Sequence, residues 1–376
     1  MVPNSWTVIA YFVADDDRKP VLNPFASAEL AAIKQAAIDE DIQLAAYVDF
    51  TGPQVPSRRC IVRGKGNQDP RTCSDTVEEN SATMTSLREF LKFAKENTEA
   101  TSRTAMFLWG HGAGPAGFFL DPTPQPQKSL TLPEIREAAF QAMTLPIDVL
   151  FFRDCWTANL ELAYQFDGLT RYVIACQGLV PIPGVWPFRK LFQMLKALPE
   201  AAGRNQIARL LEPLDDHYQS ESNRGIPPLG EVRFAALDIA GCRDKLKKPL
   251  KDFVAALRGL TGADRLNSRL VLEKAKGGDA ALVDVVRMCE TLTSFQGLGK
   301  AATALYGAVA PLVIDQTNGT PGYLGNSLTG VSLFRRPAES LTDSLFIDSI
   351  VYDAYKGLPL CAETGWHDIA YETLLD

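Results

Sequence analysis

Short apolar runs, each ended by loop residues, recur along the first 240 positions. They alternate with segments whose apolar residues fall at helical spacing. Trp6-Thr-Val-Ile-Ala-Tyr-Phe-Val-Ala is rich in β-branched and aromatic residues and reads as a strand. Ala26 to Asp39 follows as a helix, and Ile42-Gln-Leu-Ala-Ala-Tyr-Val-Asp-Phe as the next strand. Ser57 to Gly66 alternates apolar and polar positions and carries glycine turn signals, which predicts a hairpin strand with Arg58, Arg59, Arg63 and Lys65 on a solvated face. Asn80 to Lys95 predicts an amphipathic helix with Leu87, Phe90, Leu91 and Phe93 inward. The runs from Thr104 to His111, from Ile147 to Cys155 and from Arg171 to Gln177 are short, mainly apolar and bounded by loop residues, as expected of parallel strands covered on both faces. Ser129 to Met143 lies between the first two of these. It starts with capping residues and has Pro133 in its first turn, so it predicts a crossover helix.

Strand, helix, strand is a right-handed crossover. It brings the ends of the Thr104 and Ile147 runs side by side at the carboxyl edge of the sheet, where open α/β sheets bind their ligands. The first run ends on His111, set among Gly110, Gly112 and Gly114. The second ends on Cys155. A thiol beside an imidazole is the pairing of a nucleophile with its base. His217 and His367 are the other two histidines, and neither follows a strand with glycines around it. Cys176 also closes a strand, but its neighbours match no nucleophile pattern. A helix from Thr157 to Tyr164, beginning at the nucleophile, would favour a thiolate.

Further along, Val232 to Ala240 predicts a strand. Helices are predicted at Cys242 to Leu257, Leu282 to Leu292 and Gly297 to Ala308, and a late strand at Leu328 to Phe334. A tail with Phe346, Tyr352, Tyr355 and Trp366 predicts a final helical element. The segments Asp121 to Lys128 and Glu212 to Gly230 are polar and rich in Pro or Gly, and are expected to be exposed loops. The organisation expected is a core over residues 1–240 and a C-terminal part, 241–376, packed on the same sheet as one continuous domain.

Composition narrows the function class. The chain has 376 residues, 46% apolar and 22% charged, which suffices for a large core. A net charge of −7 argues against a nucleic-acid surface or a polybasic membrane patch. No apolar run reaches the roughly 18 residues of a membrane span, and the first apolar run lacks the preceding basic region of a signal peptide. The seven cysteines show no metal-site spacing. They read as free thiols of a reducing compartment, so the expected location is cytoplasmic. Asp15, Asp16 and Asp17 end the first strand as a solvated turn, a cleft rim or a cation site.

Trp109-Gly-His-Gly-Ala-Gly and Phe152-Arg-Asp-Cys-Trp-Thr-Ala-Asn-Leu-Glu resemble the histidine and cysteine boxes of the clostripain family, caspase-like cysteine endopeptidases. The resemblance implies a caspase-like three-layer α/β/α sandwich with a mostly parallel central sheet, and peptide or protein substrates. It implies Cys155 as nucleophile, His111 as proton carrier, and backbone N–H groups of Gly112 and Cys155 for the oxyanion. Glu161 stands where the family has a Glu and is expected to brace the nucleophile segment. No cofactor is required, with calcium allowed by the resemblance alone; the sequence does not name an activating partner. Family members read Arg or Lys before the scissile bond through carboxylates. One lies two residues before the cysteine and others follow the next strand. Here Arg153 stands at the first place, and Gln177, Gly178 and Val180 at the others, while Pro181, Gly184 and Trp186 match. Arg153, Gln177, Val180 and Trp186 are thus candidate substrate-binding residues, and non-basic specificity is expected. It would be acidic if Arg153 faces the pocket, or neutral if a neighbour such as Asp154 compensates it. The alternatives are a silent caspase-like scaffold and an esterase of α/β-hydrolase type, suggested by His111-Gly-Ala-Gly but lacking a nucleophile elbow.

Overall fold

The computed structural model describes residues 5–15, 21–52, 55–64, 72–121, 128–143, 146–181, 184–222, 232–275, 281–318, 328–335 and 352–371. The central strands come from the apolar runs: β1 (Trp6–Val13), β2 (Gln43–Asp49), β3 (Arg58–Val62), β4 (Thr72–Asp75) and β5 (Arg103–Trp109). A small pair follows, β6 (Phe118–Asp121) and β7 (Lys128–Leu130), then β8 (Ile147–Arg153), β9 (Thr170–Cys176) and β10 (Phe234–Asp238). The late strands are β11 (Leu282–Asp284), β12 (Val313–Gln316) and β13 (Ser332–Phe334).

Nine of these form one sheet in the order β12-β10-β9-β8-β5-β1-β2-β3-β4. The middle five are parallel. β3 and β4 extend one side as antiparallel strands, and β10 and β12 extend the other. β12 comes from the C-terminal part, which therefore contributes to the same sheet as the core.

Alternation along β1 explains why both faces are covered. Trp6, Val8, Ala10 and Phe12 point into one apolar layer, and Ile9, Tyr11 and Val13 into the other. The first layer is closed by α1 (Asn23–Glu40) and the helix Phe188–Ala197, the second by α2 (Met84–Asn97), α3 (Leu132–Ala142) and the helix Cys242–Gly259. α3 starts with a capping box between Thr131 and Glu134, as its sequence signals. The expected three-layer α/β/α arrangement with a mostly parallel sheet is what forms.

Several expectations need correction. Glu212–Ser222 is a helix rather than a loop, because Leu214 and Tyr218 are buried on one side of it. Asp121 is buried in β6 instead of opening an exposed loop. The helix expected from Leu282 begins at Val285, its first residues pairing with β13 as β11. The cysteines are not all free. Antiparallel pairing of β3 with β4 sets Cys60 opposite Cys73, and the two form a disulfide. The reducing, cytoplasmic location rested on free thiols and loses that support. No helix among the described residues is long and apolar enough to cross a membrane. Asp16, Asp17, Lys65, the proline-rich stretch 122–127, residues 223–230 and Phe346 lie outside the described residues.

Candidate active site

β5 and β8 are neighbouring parallel strands, and their register sets Trp109 beside Arg153. His111 and Cys155 each stand two residues past that pair, so they emerge level with each other at the carboxyl edge. Both are half-buried.

Two glycines make the approach of the loops feasible. A Cβ on Gly112 would lie 2.5 Å from the carbonyl oxygen of Cys155 and 3.0 Å from its nitrogen. A Cβ on Gly110 would lie 2.5 Å from the Phe119 ring and 3.2 Å from the carbonyl of Val13. Neither contact leaves room for a side chain. The His111 loop is tied back by two bonds flanking Gly112: Phe119 N–H to the His111 carbonyl at 2.9 Å, and Ala113 N–H to the Gly117 carbonyl at 3.0 Å. Gly112 is bridged to Phe118 between them, so its own N–H takes part in neither bond.

The turn carrying Cys155 is held differently from the sequence expectation. The helix after Cys155 is α4 (Leu160–Phe166), not a helix starting at the cysteine. Asn159 caps it, accepting from Leu162 N–H at 2.8 Å, and Trp156 has the left-handed φ of 58°. Cys155 thus sits on a turn, pinned by Trp156 N–H to the Gly178 carbonyl and Ala158 N–H to the Cys176 carbonyl, both at 2.9 Å. The Thr157 hydroxyl adds a bond to the Asp154 carbonyl at 3.1 Å. Instead of a helix terminus, the sulfur receives the backbone N–H of Val180 at 3.3 Å. That contact favours a thiolate in the same way, by aiming a donor at it.

Asp154 is fully buried, and neither of its oxygens has a hydrogen bond of good geometry. Burial holds its carboxyl well above the usual range, against weaker opposing pulls from the Gly110 N–H and the Arg153 charge. Burial therefore opposes the charged form of Asp154, which makes it a poor counter-charge for Arg153.

The compensating residue is Glu29 of α1, which sequence reasoning missed. Arg153 and Glu29 are 3% and 1% exposed and form a direct ion pair. Arg153 also donates to the Gly184 carbonyl at 2.9 Å, and its guanidinium lies over the rings of Trp109 at 5.3 Å and Trp186 at 5.5 Å. The signal was present: Glu29 falls on the inward stripe of α1 with Ala26, Leu30 and Ile33, where a carboxylate requires a buried partner.

The four candidate binding residues do not gather at one place. Val180 touches Cys155, and Trp186 packs on Arg153. Gln177 is buried elsewhere. Its amide donates to Asp284 and Ser332, both at 3.0 Å, and its oxygen accepts from Gly330 N–H. It ties β9 to the C-terminal part. Glu161 has the bracing place expected of it, accepting from Tyr355 O–H at 2.7 Å and Phe334 N–H at 2.8 Å. Burial raises its carboxyl to about 7.

A second acidic group lies at the ends of β1, β2 and β6. Asp15, Asp49 and Asp121 are buried, with carboxylate oxygens within 4.8 Å of one another. Ser57 and Ser81 donate to Asp49, and Ser81 also donates to Asp121. Burial and the Asp121 charge push Asp49 up to about 9. The all-oxygen donor set suits a hard cation such as calcium. Bound there, such an ion would offset two of the three carboxylate charges and tie the three strand ends together.

Among solved structures, the chain is similar to a secreted C11 cysteine protease from Bacteroides thetaiotaomicron in complex with an irreversible peptide inhibitor. The two share 18% identity, with 96% of this chain and 99% of that chain covered and a TM-score of 0.69. It is similar also to an inactive zymogen C11 protease from Parabacteroides distasonis, at 17% identity, 97% and 99% coverage and a TM-score of 0.64. At these identities the likeness concerns the fold. A comparison with curated proteins gives no match. The model of the clostripain family matches residues 10–271, a span that runs from the second half of β1 through β10 and includes both strand ends carrying His111 and Cys155. The chain belongs to the clostripain family of cysteine peptidases.

Proposed function

We propose that the chain is an endopeptidase acting through a Cys155–His111 dyad. The observation that carries this is the register of β5 on β8, which sets the imidazole and the thiol level at one sheet edge with Gly112 packed on the Cys155 backbone. Cys155 Sγ attacks the scissile carbonyl carbon, forming the C–S bond. The oxyanion is received by the backbone N–H groups of Gly112 and Cys155. As the C–N bond breaks, His111 gives its proton to the leaving amine. His111 then takes a proton from water, whose oxygen attacks the thioester, breaks the C–S bond and releases the Cys155 thiolate, restoring the thiolate–imidazolium pair that began the cycle. The Val180 N–H on Sγ stabilises the thiolate before attack and as leaving group.

The substrates are peptides or proteins, with a non-basic residue before the scissile bond. Arg153 stands where the family places an acidic residue, and Glu29 is already paired with it, so a cationic side chain would find no carboxylate partner there. A divalent cation on Asp15, Asp49 and Asp121 would act on loop structure, apart from the chemistry. The Cys60–Cys73 disulfide favours an oxidising compartment over the cytoplasm.

The test is cleavage of a peptide library by the purified protein, with Cys155→Ala and His111→Ala as controls. Both variants are expected to fold and to lose peptidase activity. Wild-type rates in Cys155→Ala would refute the dyad. A thiol-reactive peptide probe separates enzyme from scaffold, since a scaffold would leave Cys155 unlabelled.

A further inference from the structure

Resting on the Cys155 nucleophile just proposed, we propose that the residue before the scissile bond is small and uncharged, namely glycine, alanine or serine. The protein's own side chains fill the place where a larger one would descend. The Val180 N–H lies on Cys155 Sγ, and the Val180 side chain packs into the apolar layer closed by α1. Trp186 and Trp109 belong to the same layer as Val180, and Arg153, two residues before Cys155, lies against both rings; all three are 3% exposed. With Phe12, Phe107 and Phe188 they close on one another and leave no room for a water molecule.

The charge is closed off as well as the space. The two terminal nitrogens of Arg153 are held by the Glu29 carboxylate and the Gly184 carbonyl, and its planar group lies against two indole rings. A substrate carboxylate would have to displace Glu29 from a site where both ions are already desolvated. A substrate cation would find Arg153 in its path. A large apolar side chain finds Trp186, which is not free to swing away. Its indole N–H donates to Tyr218 O–H at 2.9 Å, and its backbone N–H donates to Glu29 at 3.4 Å. Glu29 and Trp186 are thus specificity-determining residues: the first cancels the cation and the second occupies the volume.

The experiment measures labelling of Cys155, by intact mass, with peptidyl acyloxymethyl ketones differing only in the residue next to the warhead: Ala, Leu, Asp or Lys. Wild type is expected to react with the Ala probe at least about tenfold faster than with each of the others, the scale of steric discrimination by a closed pocket. Trp186→Ala is expected to raise the Leu rate relative to Ala by about tenfold, because the indole volume becomes available. Equal or faster wild-type reaction with Leu, Asp or Lys overturns the filled-pocket proposal while leaving the nucleophile in place. Failure of every probe, Ala included, overturns the nucleophile assignment and this proposal with it. If Trp186→Ala does not fold, the wild-type ranking decides alone.

Discussion

Neutralising Glu29 gives the sharpest test of how Arg153 is held. In Glu29→Gln the guanidinium stays buried among Trp109, Trp186 and the Gly184 carbonyl but loses its counter-charge. Breaking one partner of a buried pair costs about 3–5 kcal/mol, because the remaining ion is desolvated without compensation. The amide oxygen of Gln keeps one acceptor near Arg153, so the lower end, about 3 kcal/mol, is expected. Arg153→Met should cost a similar amount, leaving the Glu29 carboxylate alone. The double variant removes both charges and keeps the volume, so it should lie within about 1 kcal/mol of wild type. The coupling between the two sites, the double-variant cost less both single costs, is then about 5 kcal/mol or more in magnitude, far above the few tenths expected of independent positions. Urea unfolding at pH 7.5 followed by far-UV circular dichroism measures all four corners of the cycle through their midpoints at constant m. Single-variant costs that simply add in the double variant would refute the reasoning. They would mean that the two ions do not depend on each other.

Glu161, raised to about 7 by burial, holds its proton more tightly folded than unfolded. Its contribution is full below about pH 4.5 and is lost as pH rises through 7, an expected swing of about 3 kcal/mol at most. Glu161→Gln should flatten the stability profile between pH 4.5 and 8, read by urea melts across that range. The Cys60–Cys73 link spans 13 residues, so Cys60→Ser with Cys73→Ser should destabilise by about 3 kcal/mol or less. Alkylation of unreduced, unfolded protein should modify five cysteines rather than seven, five being the free ones among the described residues. Lys128 opens β7 and pairs with Asp121 of β6, and a lysine is a poor fit beside Arg153. No cut after Lys128 is expected on ageing, and a cut seen by mass spectrometry in wild type but absent in Cys155→Ala would contradict the specificity argument.

The sequence by itself determined the layers and the place of the site. Short, mainly apolar runs bounded by loop residues read as strands covered on both faces, and a crossover between two of them must bring their ends together. The meeting of the His111 and Cys155 strand ends was therefore legible before any coordinates, as was the crossover helix from its capping residues and Pro133. The turn at Trp156 was not, because apolar periodicity continued through Thr157 to Tyr164 as if a helix began there; the left-handed φ of 58° and the Asn159 cap decide otherwise. Pairing between distant segments was also closed to the sequence. Cys60 meets Cys73 only once the β3–β4 register is set. Gln177 is claimed by Asp284 and Ser332, 107 and 155 residues away. Arg153 shows the division most clearly. Its position two residues before the nucleophile marked it as a specificity residue, but its direction depended on Glu29, 124 residues earlier in the chain. A buried charge goes where its partner is, and only the tertiary structure brings α1 against the end of β8.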